Sequence, residues 1–148
     1  RCYHTDDVAG AEWAGALKNP YAIAAGVAKG LGLGDNAIAA LVTRALAEMV
    51  RFGATMGGRP ETFYGLSGVG DLIATCLSER SRKSQRGRGA LDGRNLEEPN
   101  TASLSPAARR AGARTPLLDE VYALLYEVKS PAAAMRDLLA RDPRPESD

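Results

Sequence analysis

The chain has 148 residues, enough for one domain that buries about two-thirds of its unfolded surface without a metal or a disulfide framework. Its 19 Lys and Arg against 18 Asp and Glu leave a formal charge of +1, which argues against a globally basic nucleic-acid binder and against an acidic solvating tail. With 26 alanines but only two Phe and one Trp, the composition favours closely packed helices over an aromatic-rich β-sandwich.

Residues 1–8 read as a linker, the remnant of a preceding segment, and Asp6 or Asp7 offers a side-chain cap for a helix beginning near Ala9. Trp13, Leu17, Tyr21, Ala24, Ala25 and Ala28 recur at three- and four-residue spacings. Pro20 interrupts that pattern and predicts a kink or two successive helices, because it lacks a backbone donor and crowds the preceding turn. Gly30, Gly32 and Gly34 end the segment.

A second helix is expected from Ala37 to Met56, capped by Asp35 or a neighbour, with Ile38, Leu41, Val42, Ala45, Leu46, Met49 and Val50 on one face. At roughly 30 Å it is long enough to be the central post of the domain. Gly57 and Gly58 stop it, and Pro60 opens a short helix. The glycines of residues 65–70 predict a tight loop that delivers Asp71 to a helix start, where a carboxylate is favoured. A basic run follows from residue 79 to Arg94. Residues 91–114 are expected to be shortened or irregular, their Pro, Ser, Asn and Arg carrying weak periodicity. Thr115-Pro116 opens a helix with Leu117, Leu118, Val121, Leu124, Leu125 and Val128 as its apolar residues. Ser130-Pro131 opens a last one, and residues 142–148 form a polar tail. The fold class that follows is all-α, a compact multi-helix bundle.

Cys2 and Cys76 make no disulfide framework and no CxxC pair, so a reducing, cytoplasmic location is the default. No apolar run reaches the roughly 20 residues needed to span a bilayer. No metal site is expected, because Cys2 and His4 lack further ligands at motif spacing. Gly70 is followed by Asp71-Leu72, which excludes a P-loop, and no Gly-x-Gly-x-x-Gly unit is present.

Lys18 sits one turn from Ala14, Gly15, Tyr21 and Ala22, of which all but Tyr21 are small and leave room for an ammonium to donate to a carbonyl oxygen or relay a proton. The plain alternative is a surface lysine. Asp71 could orient a lysine or a substrate hydroxyl, or simply cap its helix. Arg82 and Lys83 could grip a phosphate, since guanidinium donors form a fork suited to its oxygens, or belong to a solvated basic face. Nucleic-acid contact through residues 80–94 is disfavoured by the near-neutral charge and the absence of interleaved aromatics.

Taken together, residues 12–19 (Glu-Trp-Ala-Gly-Ala-Leu-Lys-Asn), 30–37, 43–49, 58–63 and 65–72 (Gly-Leu-Ser-Gly-Val-Gly-Asp-Leu) closely resemble the C-terminal domain of bacterial-type NAD(P)-dependent glycerol-3-phosphate dehydrogenase. The match is strong over residues 3–90 and resumes at Thr115-Pro116. It implies the fold of the 6-phosphogluconate dehydrogenase-like C-terminal domains and a role in interconverting dihydroxyacetone phosphate and sn-glycerol 3-phosphate. Lys18 falls on the family's catalytic lysine, and Asp71 on the aspartate expected beside it and the substrate hydroxyl. Asn19, Thr75, Ser81, Arg82 and Lys83 fall on substrate-contacting positions, with Arg82 also near the cofactor. NAD or NADP would be bound mainly by an N-terminal Rossmann domain absent from these residues, so the chain alone is expected to be inactive. A homodimer is among the assemblies the resemblance allows. A rival from another class is a non-catalytic helical remnant that binds or dimerises. Three departures stand out: Lys83 where the family has asparagine, Pro20 where it has an apolar residue, and the shortened stretch after residue 90.

Overall fold

A computed structural model describes residues 3–78, 80–92 and 98–141. Among them every regular element is helical: α1 (Val8–Gly30), α2 (Asp35–Thr55), α3 (Pro60–Phe63), a π-helical turn (Leu66–Gly70), α4 (Asp71–Leu77), α5 (Arg82–Gly89), a 3-10 turn (Ala90–Asp92), α6 (Pro99–Arg110), α7 (Pro116–Tyr126) and α8 (Pro131–Leu139).

The central post is α1, not α2. Every residue from Pro20 to Ala28 is buried, because this stretch carries no polar face and a helix that is apolar all round must be covered on all sides. By contrast, α2 buries only one stripe: Ile38, Val42, Ala45, Glu48, Met49, Phe52 and Gly53. Five of the residues from Ala22 to Ala28 are Ala or Gly, so neighbouring helices can approach closely. The tightest approach is by α5. A Cβ on Gly26 would lie 2.0 Å from the Ser84 carbonyl oxygen, and one on Gly87 would lie 2.1 Å from that of Ile23.

Pro20 neither breaks nor divides α1, which runs as a single helix through it. The lost hydrogen bond is a local cost of about 3 kcal/mol. It is offset by packing of this segment against α2, α4, α5, α6 and α7. The helix starts one residue earlier than expected, with Asp7 as its cap: its carboxylate accepts from Gly10 N at 2.9 Å. The same carboxylate accepts from Arg59 N at 2.9 Å and from the Thr62 hydroxyl, tying α1 to the start of α3. These donors, the Thr62 hydroxyl foremost, hold the Asp7 carboxyl below its usual value. Asp7 is therefore part of the domain rather than of a linker.

At the far end of α1, Gly32 adopts a positive φ of 76° while Gly32 N and Leu33 N bond back to the Lys29 and Ala28 carbonyls. This is the glycine-terminated Schellman arrangement. Gly57 repeats it at the end of α2. The N-cap of α2 is Gly34, without a side-chain bond, and Asp35 instead occupies the first turn, where its charge suits the helix dipole.

The described part of the stretch expected to be irregular contains a 12-residue helix, α6, with Pro99 in its first turn. Its buried face is Thr101, Leu104, Ser105 and Ala108, which hydrophobic periodicity does not register. Residues 93–97 and 142–148 lie outside the described residues. Val128, expected on the apolar face of α7, lies beyond that helix with a φ of 56° and is 96% exposed.

The start of α7 is held from a distance. Its N-cap Thr115 makes no side-chain cap bond. Glu48 of α2 reaches across instead, accepting from Leu117 N at 2.8 Å and Leu118 N at 3.2 Å, and from the Tyr21 hydroxyl at 3.2 Å. A carboxylate thereby satisfies donors that α7 itself leaves open.

Candidate active site

Lys18 stands on α1 and Asp71 opens α4. Their side chains form an ion pair and hydrogen bond across 53 residues of sequence. Local structure explains the placement. Phe63 is fully buried, and the loop packs on its backbone so tightly that a Cβ on Gly68 would lie 2.0 Å from the Phe63 carbonyl oxygen. The π-helical turn then runs directly into α4. Leu72 and Cys76 point into the core at 0% exposure, which leaves Asp71 and Thr75, one turn apart, on the open side. The Thr75 hydroxyl donates to the Asp71 backbone carbonyl at 2.6 Å and sits 3.3 Å from its Oδ1.

α1 fastens the other end of α4 as well. The Lys29 ammonium donates to the Cys76 and Leu77 carbonyls at 2.9 and 3.0 Å, satisfying the last turn of that helix and matching its dipole. Burial pushes the Cys76 thiol up to about 12, which suits a packing residue and not a nucleophile.

The side chains of Lys18 and Asp71 are 25% and 38% exposed, so the pair is partly screened yet open to a ligand. Asn19, next along α1, is half-buried and its amide bonds to no described group. Ser81 is the N-cap of α5, its hydroxyl accepting from Ser84 N at 3.3 Å. Arg82 is the first residue of α5; it is exposed and forms no ion pair among the described residues. Lys83 is held elsewhere: it pairs with Glu98, whose side chain is 2% exposed, and Arg86 Nη1 lies 3.8 Å from the same carboxylate. Tyr126 completes that cluster, donating its hydroxyl to the Glu98 carbonyl at 2.7 Å.

The structure thus unites Lys18, Asp71 and Thr75. No described contact joins Ser81, Arg82 or Lys83 to them. Sequence reasoning missed Lys29, Glu48 and Glu98. The one usable signal was Glu98 standing just before Pro99, the position of an N-cap. Among the described residues no group of three or more His, Cys, Asp or Glu could hold a metal ion, and no helix is long and apolar enough to cross a membrane.

The arrangement can do specific chemistry. An ammonium held by a carboxylate, at an accessible surface, can protonate an oxygen that gains negative charge and can recover the proton in reverse. Known proteins resemble the chain over most of its length. A family model described as the NAD-dependent glycerol-3-phosphate dehydrogenase C-terminus matches residues 7–136. The glycerol-3-phosphate dehydrogenase [NAD(P)+] of Prosthecochloris aestuarii is 44% identical over 99% of this chain and 48% of its own length. That of Streptomyces coelicolor is 42% identical over 99% and 47%. The crystal structure of the glycerol-3-phosphate dehydrogenase of Coxiella burnetii superposes with a TM-score of 0.86 at 37% identity, covering 95% of this chain and 47% of that one. The Saccharomyces cerevisiae glycerol-3-phosphate dehydrogenase gives 0.77 at 30%, over 91% and 43%. The chain spans about half the length of the relatives it matches. With the Lys18–Asp71 pair and the helical fold in place, the chain belongs to the family of NAD-dependent glycerol-3-phosphate dehydrogenase C-terminal domains.

Proposed function

We propose that this chain is the substrate-side domain of a cytoplasmic enzyme that interconverts dihydroxyacetone phosphate and sn-glycerol 3-phosphate with NAD(P)(H). The observation that carries the reading is the ion pair of Lys18 with Asp71, flanked by the Thr75 hydroxyl and open to solvent. Hydride reaching the ketone carbon leaves negative charge on its oxygen, and the Lys18 ammonium neutralises and protonates that oxygen. In the oxidative direction the neutral Lys18 amine takes the hydroxyl proton as hydride leaves. Asp71 acts by keeping the ammonium in place, and Thr75 steadies the Asp71 carboxylate. Arg82 offers a free guanidinium at the start of α5 for the substrate phosphate, and Ser81 and Asn19 add hydroxyl and amide donors. Binding energy from that remote phosphate would position the reacting carbon. Lys83 would reach the phosphate only by leaving Glu98, with which it is paired.

The nicotinamide supplies hydride in this class of reaction. The residues in hand do not make a dinucleotide site. They contain no Gly-x-Gly-x-x-Gly turn, and Arg82, the contact that the family resemblance offers, is exposed and forms no ion pair among the described residues. A separate Rossmann domain would carry the cofactor. The same reading places the helical fold among the 6-phosphogluconate dehydrogenase-like C-terminal domains and admits a homodimer.

The test is calorimetric titration of the chain with sn-glycerol 3-phosphate, alone and with a cofactor-binding domain supplied in trans. Arg82→Ala is expected to weaken binding at least about tenfold, the scale of a charged hydrogen bond. Lys18→Ala is expected to abolish turnover in the complemented system while leaving part of the binding. No binding by the parent chain in either setting would favour the non-catalytic remnant. Reduction of dihydroxyacetone phosphate with NADH by the chain alone would defeat the requirement for a second domain.

A further inference from the structure

A second concave surface lies along α4 from Ile73 to Leu77, bounded by the last turns of α1 and α5 and the first turns of α2. It encloses about 830 Å³, within the range of small-molecule pockets. Its walls are of two kinds. Ile38 and Val42 of α2 face Ile73 and Leu77 of α4, and the last two are 42% and 52% exposed although the opposite side of α4 is core. Lys29 and Arg88 supply the charge. Arg88 Nε is enclosed by protein and donates to no described group. Lys29 uses two of its protons on the Cys76 and Leu77 carbonyls, which leaves a third for another acceptor. Asp35 at the mouth is exposed and pairs with neither cation.

An anionic oxygen in the groove would meet the part of Arg88 that lines it and the third proton of the Lys29 ammonium. An aliphatic chain attached to the same oxygen-bearing group would cover the exposed side chains of α4.

We propose that this groove binds a small amphipathic anion, a carboxylate or phosphate monoester head on Arg88 and Lys29 with an aliphatic chain laid between Ile38, Val42, Ile73 and Leu77. The site is separate from the Lys18–Asp71 pair and does not depend on the reading of that pair.

The probes are octyl phosphate and octanoate, each below its micellar concentration, with inorganic phosphate and octanol as partial ligands. All are titrated calorimetrically into the 148-residue chain. Binding by either octyl anion at least about tenfold tighter than by both partial ligands supports the site, and the tighter of the two identifies the head group. Arg88→Met, which keeps the aliphatic volume, is expected to weaken that binding about tenfold or more. Ile73→Glu, at a position 42% exposed, is expected to do the same by placing a carboxylate in the apolar wall against which the aliphatic chain lies. Octanol binding as well as the octyl anions, phosphate binding as well as octyl phosphate, or Ile73→Glu binding like the parent would each overturn the proposal. So would failure of both octyl anions to bind.

Discussion

Glu48→Gln tests the internal electrostatics of the bundle. The Glu48 carboxyl is 2% exposed, and burial raises it from 4.5 to about 7 despite the opposing bonds from Leu117 N, Leu118 N and the Tyr21 hydroxyl. The folded value lies above the unfolded one, so between pH 4.5 and 7 the native state holds this proton more tightly than the unfolded chain does. The contribution to stability is therefore fully present below pH 4.5 and is lost as pH rises to 7, above which it levels off. At about 1.36 kcal/mol per unit, the interval amounts to about 3 kcal/mol. The amide of the variant would carry no titrating proton. It would present one acceptor oxygen in place of two, a pH-independent cost of about 1–3 kcal/mol. Urea unfolding followed by fluorescence of the single tryptophan, Trp13, which lies 5.6 Å from the Phe52 ring, gives the stabilities. The difference between parent and variant is expected to shift by about 3 kcal/mol toward the variant between about pH 4.5 and 8. All other titrating groups are common to both chains and cancel. Parallel pH profiles would refute the assignment of a desolvated carboxyl at this position.

Two further substitutions probe the backbone. Gly26→Ala puts a methyl 2.0 Å from the Ser84 carbonyl oxygen and is expected to cost about 1–3 kcal/mol by prising α5 from α1. Gly15→Ala on the same helix meets nothing within 4 Å and should gain about 0.5–1 kcal/mol from helix propensity, so equal effects in denaturant titrations would contradict the packing argument. Val128→Gly removes a β-branched residue from a left-handed conformation at a site 96% exposed. A gain of about 1 kcal/mol in the same assay is expected; a loss would mean that the Val128 side chain carries contacts that outweigh its strain.

The Lys18–Asp71 meeting shows how local and distant information divide. The small-residue surroundings of Lys18 and the glycines before Asp71 mark both residues in the chain, and the family likeness gives them roles. Their ion pair, however, needs α1 and α4 to lie side by side, and that is arranged by Phe63 in the core beneath Gly68 and by Lys29 at the other end of α4. Lys83 makes the opposite point. Its place in the basic run suggested a hand on the substrate phosphate, while the fold gives its ammonium a buried acid, Glu98, delivered by a helix that composition had not revealed.

By itself the sequence determined the all-α class, the starts of helices after Asp6 or Asp7 and at Pro60, Thr115 and Ser130, and the glycine ends within residues 30–34 and 57–58. Caps, turns and helical periodicity are set within a few residues, so they are legible in the chain. Tertiary structure alone decided that α1 is the enclosed helix, that Pro20 is carried inside it, that Glu48 caps α7 and that Glu98 holds α5. Each depends on which surfaces come together, and a buried charge or a small residue draws its meaning from partners dozens of residues away.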